Sequence, residues 1–550
     1  MVSAKLKFAW AGIFVYVARK TVLQSTSFTN LGLLWLAIVV VPGLVRFIYN
    51  ITLYNRFFSP YRDLPVPIEE KSSWLWGHLD ALHNSNPGIL QLKWMEQHRD
   101  AKFVRYFGML QAERLIPLTP AALQTILMTE SYSFTKSELT RRSLKSILGD
   151  GIINAEGDSH RRQRKLLNPS FTYGHVKSLT PIFMDKATTM VNKMSRILDE
   201  SATAGENKKL EVIMDINTPV HATTLDIIFK AGFGADFDAI ENPDNELVQA
   251  YRRVFSMPEF TALVKIDFAI TILTGIPGVL PTARNRQFKE SKKIIENFSI
   301  GMIREKQEKR KIAATFKKSE AAIDKDIIST MITEGKGAWT EKEILNNLMT
   351  FLAAGHETTS NATAFALFHL SRNPEIQSKL REEIRTVLPN GHASLPYVTY
   401  DQIDKLKYLN NFCKESLRVS PPVPATTREA EKDVMVDGIM IKKGTLLFVQ
   451  IYGVNHSKAI WGEDADEFKP ERWDSLPTEA ISPYSLLTFL QGPRSCIGRR
   501  FAEVEFKALL IALISTFNFA EREPGENHKI RTAITTRFVD GLPLRVSYAE

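Results

Sequence analysis

The stretch from Thr340 to Pro374 constrains the fold more than any other part of this chain. Thr340 and Glu343 form the pattern of a capping box, in which a hydroxyl and a carboxylate each satisfy an orphan backbone N–H of the first helical turn. An apolar-periodic run follows and stops at Asn373-Pro374, where proline removes the donor that a continuing helix needs. Residues 341–372 as one helix are about 48 Å long at the standard rise, enough to cross a whole domain. A helix of that length passes through a core, so the rest of the chain must be built around it. Amphipathic patterns over residues 181–200, 288–311 and 374–388 add further helices, with Thr180 placed to cap one that starts at Pro181. Strand-like stretches at 434–441 and 446–450 complete a fold class that is mostly α with minor β (α+β).

Composition narrows what such a core can serve. The 550 residues are 44% hydrophobic and 24% charged, which excludes disordered and fibrous classes. The net charge is +9, but acidic residues are mixed throughout and no Lys/Arg block occurs, so nucleic acid is not an expected partner. Two cysteines, Cys413 and Cys496, cannot build a disulfide framework, and the folded part is expected in a reducing compartment. No repeat or low-complexity linker interrupts residues 73–550, so these are read as one domain.

The N-terminus reads as an anchor over residues 1–55. Residues 31–45 carry no charge, and the apolar character continues past Arg46, giving a transmembrane helix at about residues 31–49. Residues 8–18 form a shorter apolar run that either lies at the interface or pairs with that helix. A cleaved signal peptide is the alternative, but no small-x-small cleavage site follows the run. Residues 56–72 hold Pro60, Pro65 and Pro67, which make a stiff, extended hinge.

Two motifs carry chemistry. In residues 489–498, FLQGPRSCIG, Gly492 permits a tight turn and Arg494 can reach an anionic group of a cofactor. Cys496 supplies sulfur, and Gly498 lets a flat ligand approach the start of the next helix, whose N-terminus favours a thiolate. The unremarkable reading of Cys496 is a small buried hydrophobe. In the long helix, residues 354–359 read AGHETT, where the Thr358 hydroxyl can bond back to the carbonyl of Ala354. His356-Glu357 does not open a zinc motif, because HExxH needs histidine where this chain has Ser360.

Phe489, Gly492, Arg494, Cys496 and Gly498 resemble the haem-binding loop of the cytochrome P-450 family, Phe-x-x-Gly-x-Arg-x-Cys-x-Gly. The segment from Ala354 to Thr358 resembles the same family's oxygen-activation segment. Glu415 and Arg418 match its Glu-x-x-Arg motif, and Arg472 in Pro-Glu-Arg-Trp completes a structural triad with them. The resemblance runs from the proline hinge to the C-terminus, and it is closest to eukaryotic microsomal members, notably fungal biosynthetic enzymes. It implies a P-450 fold preceded by the transmembrane helix, with haem b as cofactor and Cys496 as the axial ligand of its iron. Thr358 would donate a hydrogen bond where oxygen is activated, and Glu357 would connect that place to solvent protons. The cofactor's propionates would be held by His160, Arg164, Arg428 and Arg494, with Phe489 and Gly498 shaping the loop. The family usually has tryptophan at His160.

Substrate would be contacted near Phe351, Ala354, Val423, Ala425 and Phe538, an apolar lining suited to a lipophilic molecule. The implied reaction is hydroxylation or epoxidation of a terpenoid or other secondary metabolite, with a fatty-acid or xenobiotic hydroxylase as the alternative. From a different class, a haem-binding sensor or carrier without turnover would not require the Glu357-Thr358 pair. No dinucleotide motif or flavin domain is present, so electrons would come from NADPH–cytochrome P-450 reductase, with cytochrome b5 as a further donor. Arg499, Arg500 and Lys507 would offer that partner a basic face. A monomer on the endoplasmic reticulum membrane, catalytic domain in the cytosol, is expected. Residues 268–281 either dip into the membrane or form a buried core helix.

Overall fold

The computed structural model describes residues 45, 48–203, 211–255, 266–267, 270, 278, 280–315, 326–334, 337–532 and 534–549. The anchor segments at 8–18 and 31–49 lie outside the described residues except for 45, 48 and 49, as does most of 268–281. Among the described residues no helix is long and apolar enough to cross a membrane. The chain divides into two compact units, residues 1–84 with 103–116, and residues 85–102 with 117–550.

In the first unit, a wide helical turn at Asn50–Phe58 leads into the proline-rich stretch. Strands β1 (Phe103–Phe107) and β2 (Glu113–Pro117) carry a buried ion pair, Arg105 Nε to Glu113 Oε1 at 2.8 Å. Arg105 also donates to the carbonyls of Tyr61 (3.2 Å) and Asn55 (2.6 Å), and Ser59 Oγ donates to Glu113 at 2.5 Å. The proline segment is thus tied down by one buried guanidinium.

The second unit contains strand β3 (Phe134–Thr135) and helices α1 (Glu138–Leu148), α2 (Gly157–Leu167) and α3 (Tyr173–Thr203). Strand β4 (Glu211–Asp215) precedes α4 (Asn217–Phe233), α5 (Glu246–Phe255) and α6 (Ala283–Thr315). The long helix, α7 (Glu341–Arg372), has both halves of the expected capping box, Glu343 N to Thr340 Oγ1 at 3.2 Å and Thr340 N to Glu343 Oε2 at 3.0 Å. It packs against α4, α6, α9 (Lys407–Val419) and α10 (Arg499–Thr516), and α8 (Pro374–Arg385) follows the Asn373 stop. One expected boundary differs. Helix α3 begins eight residues before Pro181 and runs through it, because its apolar face packs on α10 and that burial outweighs one missing backbone bond.

Strand β5 (Ala425–Ala430) pairs antiparallel with β3 and with β8 (Leu446–Gln450). The expected strand at 434–441 is a hairpin, β6 (Val434–Val436) and β7 (Ile439–Ile441), turning at Asp437-Gly438 with φ 45° and 77°. Strands β9 (Phe517–Glu521) and β12 (Pro543–Tyr548) form a sheet with β4, and β10 (Ile530–Thr532) pairs with β11 (Thr536–Phe538).

Beneath this lies the Glu-x-x-Arg core. Glu415 and Arg418 on α9 are both fully buried and paired twice, Nε to Oε2 at 2.9 Å and Nη2 to Oε1 at 2.8 Å. Arg472 Nε reaches the same carboxylate at 3.4 Å, and Trp473 Nε1 donates to it at 3.0 Å. Arg418 Nη1 donates to the carbonyls of Asn455 and Ala465, so one buried ion cluster ties three distant loops together.

Candidate active site

The loop leading into α10 is shaped by its own backbone. Leu490 and Gly492 have φ of 55° and 77°, and a Cβ at 492 would collide with the Leu127 carbonyl oxygen, so only glycine fits there. Cys496 N donates to Phe489 O at 2.9 Å, and the Gly498 N–H points at the Cys496 sulfur. Arg164 of α2 donates to Ser495 O at 2.6 Å. Burial pushes the Cys496 thiol up, whereas the Gly498 N–H, Arg164 and Arg499 pull it down, and coordination by a metal would deprotonate it outright. The residue is nevertheless exposed to a solvent-sized contact. Both hold for a sulfur on the wall of an interior recess. Cys413 is different: burial raises its thiol to about 12, and it is an inert core side chain.

Beside this loop, cations outnumber anions. Arg494 pairs through Nη2 with Glu156, and its buried Nε finds no hydrogen-bond acceptor. Arg428 on β5 is 2% exposed, and burial with Arg494 nearby brings it down to about 10. His160 on α2 is buried with Tyr132 Oη 3.2 Å from its Nδ1, and burial followed by the charge of Arg494 lowers it to about 4, so the ring is neutral. Lys136, next to β3, joins the same group. Buried cations without counter-charges are costly, and such a cluster is a seat for an anionic ligand.

On α7, Thr358 Oγ1 donates to Ala354 O at 2.7 Å, the bond that the spacing of four allows. The side of Gly355 has a cause that the sequence did not suggest: a Cβ there would meet Ile228 Cδ1 at 2.8 Å, so this glycine admits α4. Thr359, next in line, sits beside Glu505 of α10, whose carboxyl is fully buried and pushed well above its usual range by that burial. Phe171 supplies a second link. Its Cε1 is 3.8 Å from where a Cβ at Gly498 would lie, and its ring centre is 5.5 Å from that of Phe351 on α7.

Residues 67–537 match the model of the family described as Cytochrome P-450. The chain belongs to the cytochrome P-450 family. Among curated proteins it is 34% identical over 522 residues to cytochrome P-450 monooxygenase sphH of Aspergillus fumigatus, covering 93% of each chain. It is also 34% identical to monooxygenase FUM15 of Gibberella moniliformis, over 91% of this chain and 90% of that one. Monooxygenase 205 of Postia placenta is 33% identical over 90% and 92%. By this likeness the chain is a P-450 monooxygenase, which implies a haem-iron cofactor.

The residues of this P-450 fit such a group. Arg494 has an orphaned buried Nε, Lys136 and Arg494 share the single carboxylate of Glu156, and no protein atom stands closer than 3.8 Å to a Cβ built on Gly498, so the glycine is not required by protein packing. Arg164 is committed to the Ser495 carbonyl by one nitrogen, and Phe489 stacks under Arg499 at 5.3 Å.

Of the expected substrate positions, Ala354, Val423 and Ala425 are partly accessible, whereas Phe351 and Phe538 are buried. Phe538 packs between Phe365 and Phe368, with ring centres 4.5 and 5.5 Å away. Glu357 lines a cavity of about 270 Å³ together with His221, Tyr251, Arg252, His356 and Arg537. Its Oε1 is 3.6 Å from Arg537, and burial raises its carboxyl against the opposing pull of Thr535 and Arg537. Lys136, Phe171, Glu505 and His221 were missed by sequence reasoning. Only the adjacency of Lys136 to a buried Phe-Thr strand could have hinted at one of them.

Buried histidines give a prediction on acid stability. Burial holds His221 and His456 near about 4 and His369 near about 3, against 6.5 when unfolded. The folded state therefore binds fewer protons than the unfolded one between these values, so this stabilisation is complete above pH 6.5 and is lost as pH falls toward 4. Each ring contributes up to about 1.4 kcal/mol per pH unit, roughly 4 together. Thermal melts at pH 7.5, 6 and 5 should show a steep fall, and a flat profile would contradict the neutral assignments.

Proposed function

We propose that this P-450 hydroxylates or epoxidises a lipophilic small molecule, a terpenoid or other secondary metabolite, with haem b seated on the Cys496 loop. Electrons come from NADPH–cytochrome P-450 reductase, for which the exposed Arg499 and Arg500 beside the loop give a basic docking face. A helix at residues 31–49 holds the enzyme on the endoplasmic reticulum membrane. The observation that carries the reading is the conjunction at Cys496 of a sulfur receiving the Gly498 N–H, a helix N-terminus and a neighbouring cluster in which cations outnumber the one carboxylate they share. The fungal monooxygenases it is similar to, and the apolar accessible faces of Ala354, Val423 and Ala425, support the substrate class.

When bound, the haem supplies oxygen activation. The protein's part is to hold and move protons. Thr358 presents a hydroxyl anchored on Ala354 O, which can exchange that acceptor for oxygen without moving the helix. Glu357 has the raised affinity for a proton that burial confers and lies beside a cavity also lined by His221, Arg252 and Arg537, from which water can resupply it. Arg428, Arg494 and His160 fix the cofactor's orientation through its propionates.

With reductase, NADPH and a panel of terpenoid scaffolds, the wild type should couple oxygen uptake to product. Thr358→Ala should keep consuming NADPH while product falls about tenfold or more and hydrogen peroxide accumulates. Full coupling in that variant, or no turnover of any scaffold by the wild type, contradicts the proposal.

A further inference from the structure

We propose that His221 on α4 is a positioning residue for Glu357, offering a fixed hydrogen-bond acceptor that orients the water from which the Glu357 carboxyl regains its proton. This rests on the roles given above to Glu357 and Thr358.

The acceptor follows from counting protons along one chain of side chains between α5, α7 and α4. Tyr251 of α5 has a single hydroxyl proton and lies 2.7 Å from the carbonyl oxygen of Leu352, which can only accept, so the proton points there. The tyrosine oxygen must then accept from His356 Nδ1, 3.2 Å away. His356 is buried and its ring is neutral, so with Nδ1 protonated its Nε2 carries a lone pair. That lone pair faces His221 Nδ1 at 3.3 Å, and two lone pairs would repel, so His221 Nδ1 carries the proton. Ser360 fits the same assignment, since its hydroxyl donates to Glu357 O at 3.1 Å and accepts from His221 Nδ1 at 3.0 Å. A neutral His221 is thereby left with Nε2 as an acceptor, and that atom has no hydrogen-bond partner among the described residues.

His221 is only partly covered, and it lines the same cavity of about 270 Å³ as Glu357, Arg252 and Arg537. That volume has room for several waters at about 30 Å³ each. The two arginines can only donate, so they hold a water by its oxygen and leave its hydrogens undirected. An acceptor on the opposite wall removes that freedom. A water with one O–H on His221 Nε2 has the other for the Glu357 carboxylate, which Arg537 keeps nearby at 3.6 Å. Because His221 is itself held through His356 and Tyr251 to the Leu352 carbonyl, its ring cannot turn to offer a donor instead without breaking the chain.

The test has a spectroscopic and a kinetic arm. Nitrogen-15 spectra of the histidine-labelled holoenzyme in its diamagnetic ferrous–CO form should show the His221 ring, assigned by its loss in His221→Asn, protonated on Nδ1 and bare on Nε2. For turnover, asparagine keeps a donor near the Nδ1 position but has no atom at Nε2, whereas glutamine places an acceptor near Nε2. With reductase and NADPH, His221→Asn should give about fivefold less product per NADPH, the missing electrons appearing as hydrogen peroxide, and His221→Gln should recover most of that coupling. A purely structural role predicts the reverse order, because asparagine preserves the internal bond to His356. A protonated Nε2, an asparagine variant coupled as well as the wild type, or a glutamine variant no better than asparagine overturns the proposal. A Glu357→Gln variant that stays fully coupled overturns instead the reading of Glu357 on which it rests.

Discussion

Cys496→Ser is expected to leave a folded protein whose ferrous–CO complex lacks the thiolate-type band and whose product formation falls by about a thousandfold or more. The expectation of folding follows from what Cys496 does for the protein alone. Its backbone N–H closes the loop onto Phe489 O, a bond that serine keeps, and its side chain is exposed. The expectation of lost chemistry follows from ionisation. Burial raises the Cys496 thiol, but the Gly498 N–H, Arg164 and Arg499 favour its anion and a bound metal would deprotonate it, whereas an alcohol at the same place stays protonated. Absorbance spectra of the reduced, CO-treated protein check the first part, and product assays the second. Retention of the thiolate band in the serine variant would mean that iron is bound elsewhere.

The second large effect is on stability. Glu415→Ala removes the carboxylate that faces both Arg418 and Arg472, each nearly or completely buried, and also the acceptor of Trp473 Nε1. Breaking a buried ion pair from one side costs about 3–5 kcal/mol, because the remaining charge stays desolvated and alone. Arg418 is left without a carboxylate, whereas Arg472 keeps Asp464 at 2.5 Å, so the loss is that of one buried pair, a large share of the roughly 5–15 kcal/mol margin that a folded domain has. Little folded, haem-bearing protein should be recovered, and what is recovered should unfold at markedly lower denaturant. Glu415→Gln keeps acceptors for Trp473 and one guanidinium and should fall between the two. An alanine variant with the wild-type denaturation midpoint would refute the structural role given to this triad.

Much of the site was legible because its requirements are local. The capping box around Thr340 works between residues three apart, the Thr358 bond to Ala354 spans one helical turn, and the spacing from Phe489 to Gly498 describes a single loop. Each is a short-range geometric demand, and residue identity alone can meet it. Pro181 misled for the opposite reason. Its local signal for a helix start is sound, but the burial of α3 against α10 outweighs it. Gly355 is set by contact with Ile228, more than a hundred residues away in the chain, which no local pattern reveals.

From residue order alone came a helical domain threaded by α7 and a thiol on a shaped loop at a helix N-terminus, and the family resemblance added Arg472 as third partner of the Glu415–Arg418 pair. The first two depend on backbone periodicity, capping and turn chemistry, which act within a few residues. Only the folded arrangement showed that Lys136, Arg428 and Arg494 crowd around one shared carboxylate, that Glu505 is buried beside Thr359, and that Glu357 opens onto a cavity with His221. Desolvation and Coulomb energy depend on distance in space, and the chain brings these groups together only after its distant segments have packed.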